Sequence, residues 1–330
     1  MLDNRRWRWH FLIVAMEKLE RLRALLRGYG SCLVAYSGGV DSVFLAYVAR
    51  EVLGDKALAV IADSPSLPRR ELEEALSLAR EFRFPVRVVR TREFENPSYT
   101  TNPANRCYFC KHELFTELAP IARTEGFAVI AYGENASDVG DYRPGAQAAA
   151  EFQVRAPLKE VGLEKVEIRE LSAHLGLPTA EKAQMACLSS RIPHGEPVTP
   201  KKLGMIEQAE NLLRGLGFFE VRVRHHELTA QRPENGEWRQ ENGVPNGDPA
   251  SGLRFPVSGL RHLARIEVGP GEMSKLLLNE NSLKIAEALK KIGYAHVTLD
   301  LQGYRRGSLN ERRDLGIANP APQGGTPREA

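Results

Sequence analysis

Cysteine is scarce in this chain. Its 330 residues hold four, Cys32, Cys107, Cys110 and Cys187, too few to staple a fold of this size with disulfides. That scarcity points to a reducing compartment, with a cytoplasmic location expected, where paired thiols serve metal, cluster or redox chemistry. Long apolar runs are also missing. The longest near the start, Phe11-Leu12-Ile13-Val14-Ala15-Met16, stops at Glu17-Lys18; a bilayer span needs ~20 apolar residues, and a secretory core ~7–15 before a small-residue cleavage site. No membrane partner is expected. Charge of one sign is lacking too, because 45 basic and 42 acidic residues leave +3. This balance excludes general nucleic-acid coating and leaves room only for a local basic patch. No internal repeat is present. What remains is 42% hydrophobic and 26% charged, a globular composition, and the length corresponds to two domains at ~150 residues each.

An amphipathic pattern begins at Met16 and continues through Leu19, Leu22, Leu25 and Leu26, which predicts a helix. Translation is expected to start at Met16, with residues 1–15 a non-native or disordered extension. Residues 312–330 are rich in Pro, Gly and charge and read as a disordered tail. Between the ends, apolar strands are predicted at 31–36, 57–62, 86–89 and 127–132, alternating with helices after residue 40, at 69–82 and near 113–125. This alternation predicts an α/β fold, a mostly parallel sheet with helices on both faces, over residues 16–180. A smaller α+β domain is expected over 181–311, serving substrate binding or oligomerisation. It has helices at 200–216 and 283–292 and strands at 219–224, 263–268 and 295–301. A polar, Pro/Gly-rich insertion at 229–258 reads as a floppy surface loop.

The first strand runs into Ser37-Gly38-Gly39-Val40-Asp41-Ser42, and the apolar helical pattern Val43, Leu45, Ala46, Val48, Ala49 follows. Strand, glycine turn, helix places backbone N–H groups at a helix N-terminus, a nest for phosphate. Gly38 and Gly39 admit close approach of an anion, and Ser37 and Ser42 add hydroxyl donors. The spacing is neither that of a Walker loop nor that of a dinucleotide fingerprint. Ala35-Tyr36-Ser37-Gly38-Gly39-Val40-Asp41-Ser42 resembles the PP-loop of the ATP pyrophosphatase superfamily, with its adenine nucleotide alpha hydrolase-like fold. Those enzymes split ATP between its α- and β-phosphates and activate a substrate as an adenylate. The resemblance implies that this loop holds pyrophosphate and that Asp41 helps hold Mg²⁺. Asp63 and Ser64, beyond the second strand, and Gly133, beyond the fourth, are then expected at the nucleotide. Ligands do bind at the carboxyl ends of strands in open α/β sheets.

The remaining chemistry lies in the thiols. Asn105-Arg106-Cys107-Tyr108-Phe109-Cys110-Lys111 sets a Cys-x-x-Cys pair at a helix start, where the dipole is expected to lower thiol pKa. Three readings compete: a zinc site completed by Cys187 and His112 or His194, a thioredoxin-like couple, and an iron–sulfur cluster on three thiolates. Cys32 reads as a buried small hydrophobe. Cys187 stands in Ala186-Cys187-Leu188-Ser189-Ser190-Arg191-Ile192-Pro193, where Arg191 can favour its thiolate. In the strand at 219–224, alternation puts Val221 and Val223 on one face and Arg222 and Arg224 on the other, a pair suited to phosphate. Glu267 is a candidate for the same site or for a cation. His225 and His226 carry no assigned role.

Together these segments resemble the LarE family of ATP-dependent sulfur-insertion enzymes, from about residue 16 to 311 with 229–258 omitted. The further marks are Val221-Arg222-Val223-Arg224-His225 and Leu301-Gln302-Gly303-Tyr304-Arg305-Arg306-Gly307-Ser308. The resemblance implies adenylylation of a carboxylate of a pyridinium biscarboxylate mononucleotide and its conversion to a thiocarboxylate for a nickel-pincer cofactor. It implies Arg222 and Arg224 as the substrate-phosphate clamp, with Arg106, Lys111, Ser190, Arg191 and Glu267 as further substrate or cation-site candidates. In one branch of the family the cysteine at the Cys187 position gives up its own sulfur. In another it joins a Cys-x-x-Cys pair to hold a [4Fe-4S] cluster, and the presence of Cys107, Cys110 and Cys187 together favours that branch. A homo-oligomer, a hexamer in similar members, is implied as well. The competing readings are a tRNA-thiolating PP-loop enzyme, a PP-loop amidating ligase, and a nucleotide- or redox-sensing module without turnover. The balanced charge and absence of an aromatic-laced basic stripe count against nucleic acid.

Overall fold

The computed structural model of the chain describes residues 3–138, 144–183, 186–229 and 260–305. It divides into two compact units, Met1–Gln208 and Ala209–Ala330. The division falls at 208/209 rather than at 180/181, so the segment carrying Cys187 goes with the first unit.

In the first unit the strands are β1 (Cys32–Tyr36), β2 (Ala57–Asp63), β3 (Val86–Arg90) and β4 (Val129–Tyr132). They form one sheet in the order β3-β2-β1-β4, every pairing parallel. The helices are α1 (Asp3–Tyr29), α2 (Val40–Leu53), α3 (Arg69–Glu81), α4 (Pro97–Thr100), α5 (Arg106–Glu125), α6 (Pro144–Glu151), α7 (Pro157–Glu160) and α8 (Lys165–His174). A further helix, α9 (Pro200–Gly215), crosses the division between the units.

The unbroken apolar run of β1 follows from its central place. Cys32, Val34 and Tyr36 pack into one core with α1, α2 and α3, while Leu33 and Ala35 pack into another with α5 and α6. A strand covered on both faces has no polar alternation to keep. Each fully buried Leu or Val contributes about 1.5–3 kcal/mol of burial free energy, so both layers grip the strand that leads into the glycine turn. Cys32 is fully buried as expected, and burial pushes its thiol up to about 12.

Two elements differ from expectation. The first helix extends back through Met16 to Asp3, with Ala15 fully buried in the core. Helix α5 begins at Arg106 rather than near 113, because no breaker separates the cysteine pair from the apolar stripe behind it. Both thiols therefore ride on the helix itself.

The second unit contains β5 (Val221–Thr229), β6 (Leu260–Val268), β7 (His296–Leu299), α10 (Met273–Leu277) and α11 (Asn279–Ile292). The sheet order is β5-β6-β7, antiparallel then parallel. β5 and β6 are longer than expected because they stay paired from Val221↔Val268 to Thr229↔Leu260. Apart from Thr229, the expected insertion lies outside the described residues, as does the expected tail. No helix among the described residues is long and apolar enough to cross a membrane.

Candidate active site

The glycine turn links β1 to α2. Gly38 has φ +72°, and a Cβ there would come within 2.7 Å of the Ala75 Cβ on α3, so only glycine fits. Gly39 caps α2 in extended backbone. Ser42 Oγ donates to Gly39 O (3.0 Å), accepts from Ser37 N (3.2 Å) and meets Ser37 Oγ at 3.1 Å. The side chains of Ala35 and Val40 turn into the core, leaving backbone groups to face a ligand. Gly133, just past β4, is required by proximity: a Cβ there would lie 3.0 Å from Ser42 N and 3.2 Å from Asp41 Cβ. The carboxyl ends of β1 and β4 thus close on the first turn of α2.

Asp41 holds the charge of this turn. Its Oδ2 accepts from Lys165 Nζ at 2.5 Å, across from α8. Its Oδ1 is buried with no hydrogen-bond partner. A buried anionic oxygen without a partner costs on the order of 1–3 kcal/mol or more, so it fits a hard cation or a donor arriving with a ligand. Nothing in the local sequence marks Lys165 as part of this site. It is recruited from α8, more than a hundred residues away in the chain. Beyond β2, Asp63 is ion-paired with Arg69, and Ser64 is buried, its Oγ accepting from Ser66 N at 3.1 Å.

The thiol region is assembled by side chains. Asn102 adopts φ +58° and is fully buried. Its Nδ2 donates to Pro193 O (2.7 Å) and Glu196 O (2.9 Å), and its Oδ1 accepts from buried Arg106. Arg106 also donates to Ser189 O at 3.1 Å. Arg191 Nη1 donates to Ala186 O (2.7 Å), Cys187 O (3.0 Å) and Ser190 Oγ (2.9 Å), shaping the Cys187 turn through its carbonyls. Ser66, Tyr99 and Ser189 join by their hydroxyls. Asn102, Ser66 and Tyr99 are invisible as site residues in the sequence. The one available signal is Asn at a position that needs left-handed backbone.

Cys107, Cys110 and Cys187 are free thiols, the first exposed and the other two half-buried. Packing around the Cys107 thiol raises its pKa and Cys187 raises it further, while Arg106 and Lys111 pull it down. Burial pushes Cys110 far above the ordinary thiol range, helped by Glu93 and Cys187. This reverses the expected lowering at the helix start: desolvation and neighbouring sulfur outweigh the dipole. A redox couple wants a lowered thiol, and these two are raised instead. Glu93 is 2% exposed, and both carboxylate oxygens lack a hydrogen-bond partner. His112 packs its ring on Phe152 at 5.0 Å and Lys111 lies over the Phe115 and Tyr132 rings. Among the described residues no group of three or more Cys, His, Asp or Glu is placed to hold a metal ion.

In the second unit, Val221 and Val223 are fully buried, and Arg224 is buried as well. Arg224 Nη2 donates to Glu267 Oε2 at 2.7 Å, and the other oxygen of Glu267 lies 3.2 Å from Arg265 Nη2. Arg265 is also paired with Asp300. The Arg222 guanidinium stands 5.2 Å over the Tyr304 ring. Glu267 therefore organises the basic strand, with Arg265 and Asp300 as members that the sequence does not reveal. His225 is fully buried between Tyr294 OH (3.2 Å) and His262 Nδ1 (3.1 Å).

A parallel sheet whose central strand ends in Ser-Gly-Gly-Val-Asp-Ser at a helix N-terminus, closed by a glycine from the next strand, defines a PP-loop enzyme of the ATP pyrophosphatase kind. Consistent with this, the chain is 26% identical over 213 residues to a component chain of the glutamine-hydrolyzing GMP synthase of Methanopyrus kandleri, covering 60% of this chain and 66% of that one. It is 30% identical over 295 residues to the pyridinium-3,5-bisthiocarboxylic acid mononucleotide synthase of Lactiplantibacillus plantarum, covering 89% and 94% of the two chains. An uncharacterized protein of Synechocystis is 40% identical over 293 residues, covering 89% and 97%. No family model matches. The chain belongs to the LarE family of ATP-dependent sulfurtransferases.

Proposed function

We propose that this protein uses ATP to convert a carboxylate of pyridinium-3,5-biscarboxylate mononucleotide to a thiocarboxylate for a nickel-pincer cofactor. The carboxylate oxygen attacks the α-phosphorus of ATP and pyrophosphate leaves. A sulfur nucleophile then forms a bond to the acyl carbon, and the C–O bond to the phosphate breaks with its electron pair leaving on AMP. The glycine turn, with Ser37, Gly38, Gly39 and Ser42, receives the pyrophosphate on its amides and hydroxyls. Asp41 would hold Mg²⁺ through its unpartnered oxygen, and Lys165 would pass from Asp41 to a phosphate oxygen. Asp63, Ser64 and Gly133 border the nucleotide in this reading.

The donor chemistry is that of a cluster: Cys107, Cys110 and Cys187 are three free thiols in one unit. When bound, a [4Fe-4S] cluster supplies a sulfide on the iron that no protein ligand occupies. Arg106, on the helix that bears Cys107 and Cys110, and Arg191 both hold the Cys187 turn by its carbonyls, and Lys111 adds a positive charge that acts on Cys107. Arg222 and Arg224, set by Glu267, would take the monophosphate of the substrate. Assembly as a homo-oligomer belongs to the same reading, supported by exposed Phe219, Leu277, Leu278 and Leu283 on the second unit.

The observation that carries the proposal is that the free thiols of Cys107, Cys110 and Cys187 fall in the unit that also bears the glycine turn, with its unpartnered Asp41 oxygen. The test is pyrophosphate release with and without the mononucleotide, followed by intact mass. Substrate-dependent release over many turnovers with unchanged mass supports cluster-borne sulfur. Loss of the elements of H₂S at Cys187 after one turnover assigns the sulfur to that cysteine. No release with the mononucleotide refutes the function.

A further inference from the structure

One buried polar assembly is left unused by the proposed chemistry: the hydroxyls of Ser66, Tyr99 and Ser189. Ser66 Oγ lies 2.5 Å from Tyr99 OH and 2.8 Å from Ser189 Oγ, and the Tyr99 and Ser189 oxygens are 2.8 Å apart. Their relative exposures are 4%, 1% and 0%. Three hydroxyls carry three protons, so a closed ring in which each donates to the next satisfies all of them. Away from water such a ring is cooperative and fixes one mutual geometry.

The ring joins three segments that the chain keeps far apart: the loop after β2, the short helix α4, and the turn after Cys187. Two main-chain links reinforce it. Ser66 N donates to Ser64 Oγ at 3.1 Å, and Leu188 N donates to Ser66 O at 2.9 Å. Ser66 therefore touches Ser64 on one side and the residue following Cys187 on the other. A space that merely needed filling would hold apolar side chains at no hydrogen-bonding cost. Buried hydroxyls instead make the position of one loop depend on the position of the other.

We infer that Ser66, Tyr99 and Ser189 are positioning residues that couple the nucleotide loop to the loop bearing Cys187, so that nucleotide at Asp63-Ser64 sets the accessibility of the Cys187 thiol. The inference rests on the proposed function, in which residues 63–64 border ATP and Cys187 belongs to the sulfur site. Its chemical sense is order. A sulfur nucleophile exposed before the acyl adenylate forms is open to alkylation and oxidation, whereas one released by nucleotide binding meets its electrophile.

The test follows alkylation of Cys187 by iodoacetamide in the full chain purified in air and shown to be free of iron, read on the Cys187 peptide by mass spectrometry, with and without a non-hydrolysable ATP analogue. Binding of the analogue is measured separately by calorimetry. In the wild-type chain the analogue is expected to change the Cys187 rate by at least about fivefold, the lower end of ordinary coupling between sites. Tyr99→Phe deletes one oxygen. It is expected to bind the analogue within about twofold of wild type, yet to show less than about a twofold effect of the analogue on Cys187. A role in stability alone would lower the melting temperature and leave the nucleotide effect intact. Ser189→Ala asks the same question should Tyr99→Phe not fold. A nucleotide effect retained in these variants, or absent in a wild-type chain that binds the analogue, overturns the coupling and leaves the proposed function standing. A wild-type chain that does not bind the analogue overturns the functional reading and the coupling with it.

Discussion

The glycine turn and the thiol region lie in the same unit and are built in opposite ways. The turn is one contiguous segment shaped by its backbone, with a forced glycine at Gly38 and a close approach at Gly133. The thiol region gathers the helix start at Cys107, the turn at Cys187, Asn102, Arg106 and the Ser66–Tyr99–Ser189 ring, and its geometry is held by side chains. Each leaves a buried carboxylate open: one oxygen of Asp41, both of Glu93. A backbone-built site tolerates side-chain change except where charge is needed. A side-chain-built site fails wherever a linking residue is lost.

Four measurements can break that contrast. The largest effect is expected at Asp41→Ala: pyrophosphate release should fall by at least about a hundredfold, the scale of removing one group that stabilises charge at the reacting centre, while circular dichroism stays that of the folded protein. Full activity would dissolve the phosphate-site assignment. Next is Cys107→Ala, which should abolish the iron content and brown colour of anaerobically purified protein. Iron-free wild-type protein under those conditions would remove the cluster from the comparison. Asn102→Ala should then destabilise the chain by about 3 kcal/mol in denaturant, from buried carbonyls and Arg106 losing a partner and from an alanine at positive φ. A change near zero would mean that the thiol loop stands without its side-chain tie.

The smallest effect concerns protons. The thiols of Cys107 and Cys110 are raised in the folded state, so between the ordinary thiol value and the raised one the folded chain binds more protons than the unfolded chain. Stability of the metal-free protein should therefore be flat below about pH 8.5 and fall as pH rises above it. A shallower slope in Cys110→Ser, with Cys32 and Cys107 carrying the remainder, would assign that share to the site, and an unchanged slope would place its origin elsewhere.

The sheet is legible in the sequence because its signals are local. Alternating strands and helices, and a first strand without polar alternation, already describe a central parallel strand buried on both faces. Ser37 to Ser42 announce the glycine turn between strand and helix for the same reason. The start of α5 is legible in part: the cysteine pair reads as a helix start, but the apolar stripe that marks the helix begins only behind it. The direction of the thiol shifts is hidden as well, since a helix start is visible in sequence and desolvation is not. Lys165 on Asp41, the hydroxyl ring and the Glu267–Arg265–Asp300 network each join residues distant in the chain, and no local pattern encodes such pairs.

The register of β5 and β6 has a practical consequence for protein engineering. Thr229 and Leu260 face each other across the last rung of the ladder, so their Cα atoms stand about 4.5–5.5 Å apart. Whatever the chain carries between them leaves and re-enters the sheet at a single point. Joining the two strands by a short turn keeps every rung below, and a fluorescent reporter or affinity module placed there enters without prying the strands apart.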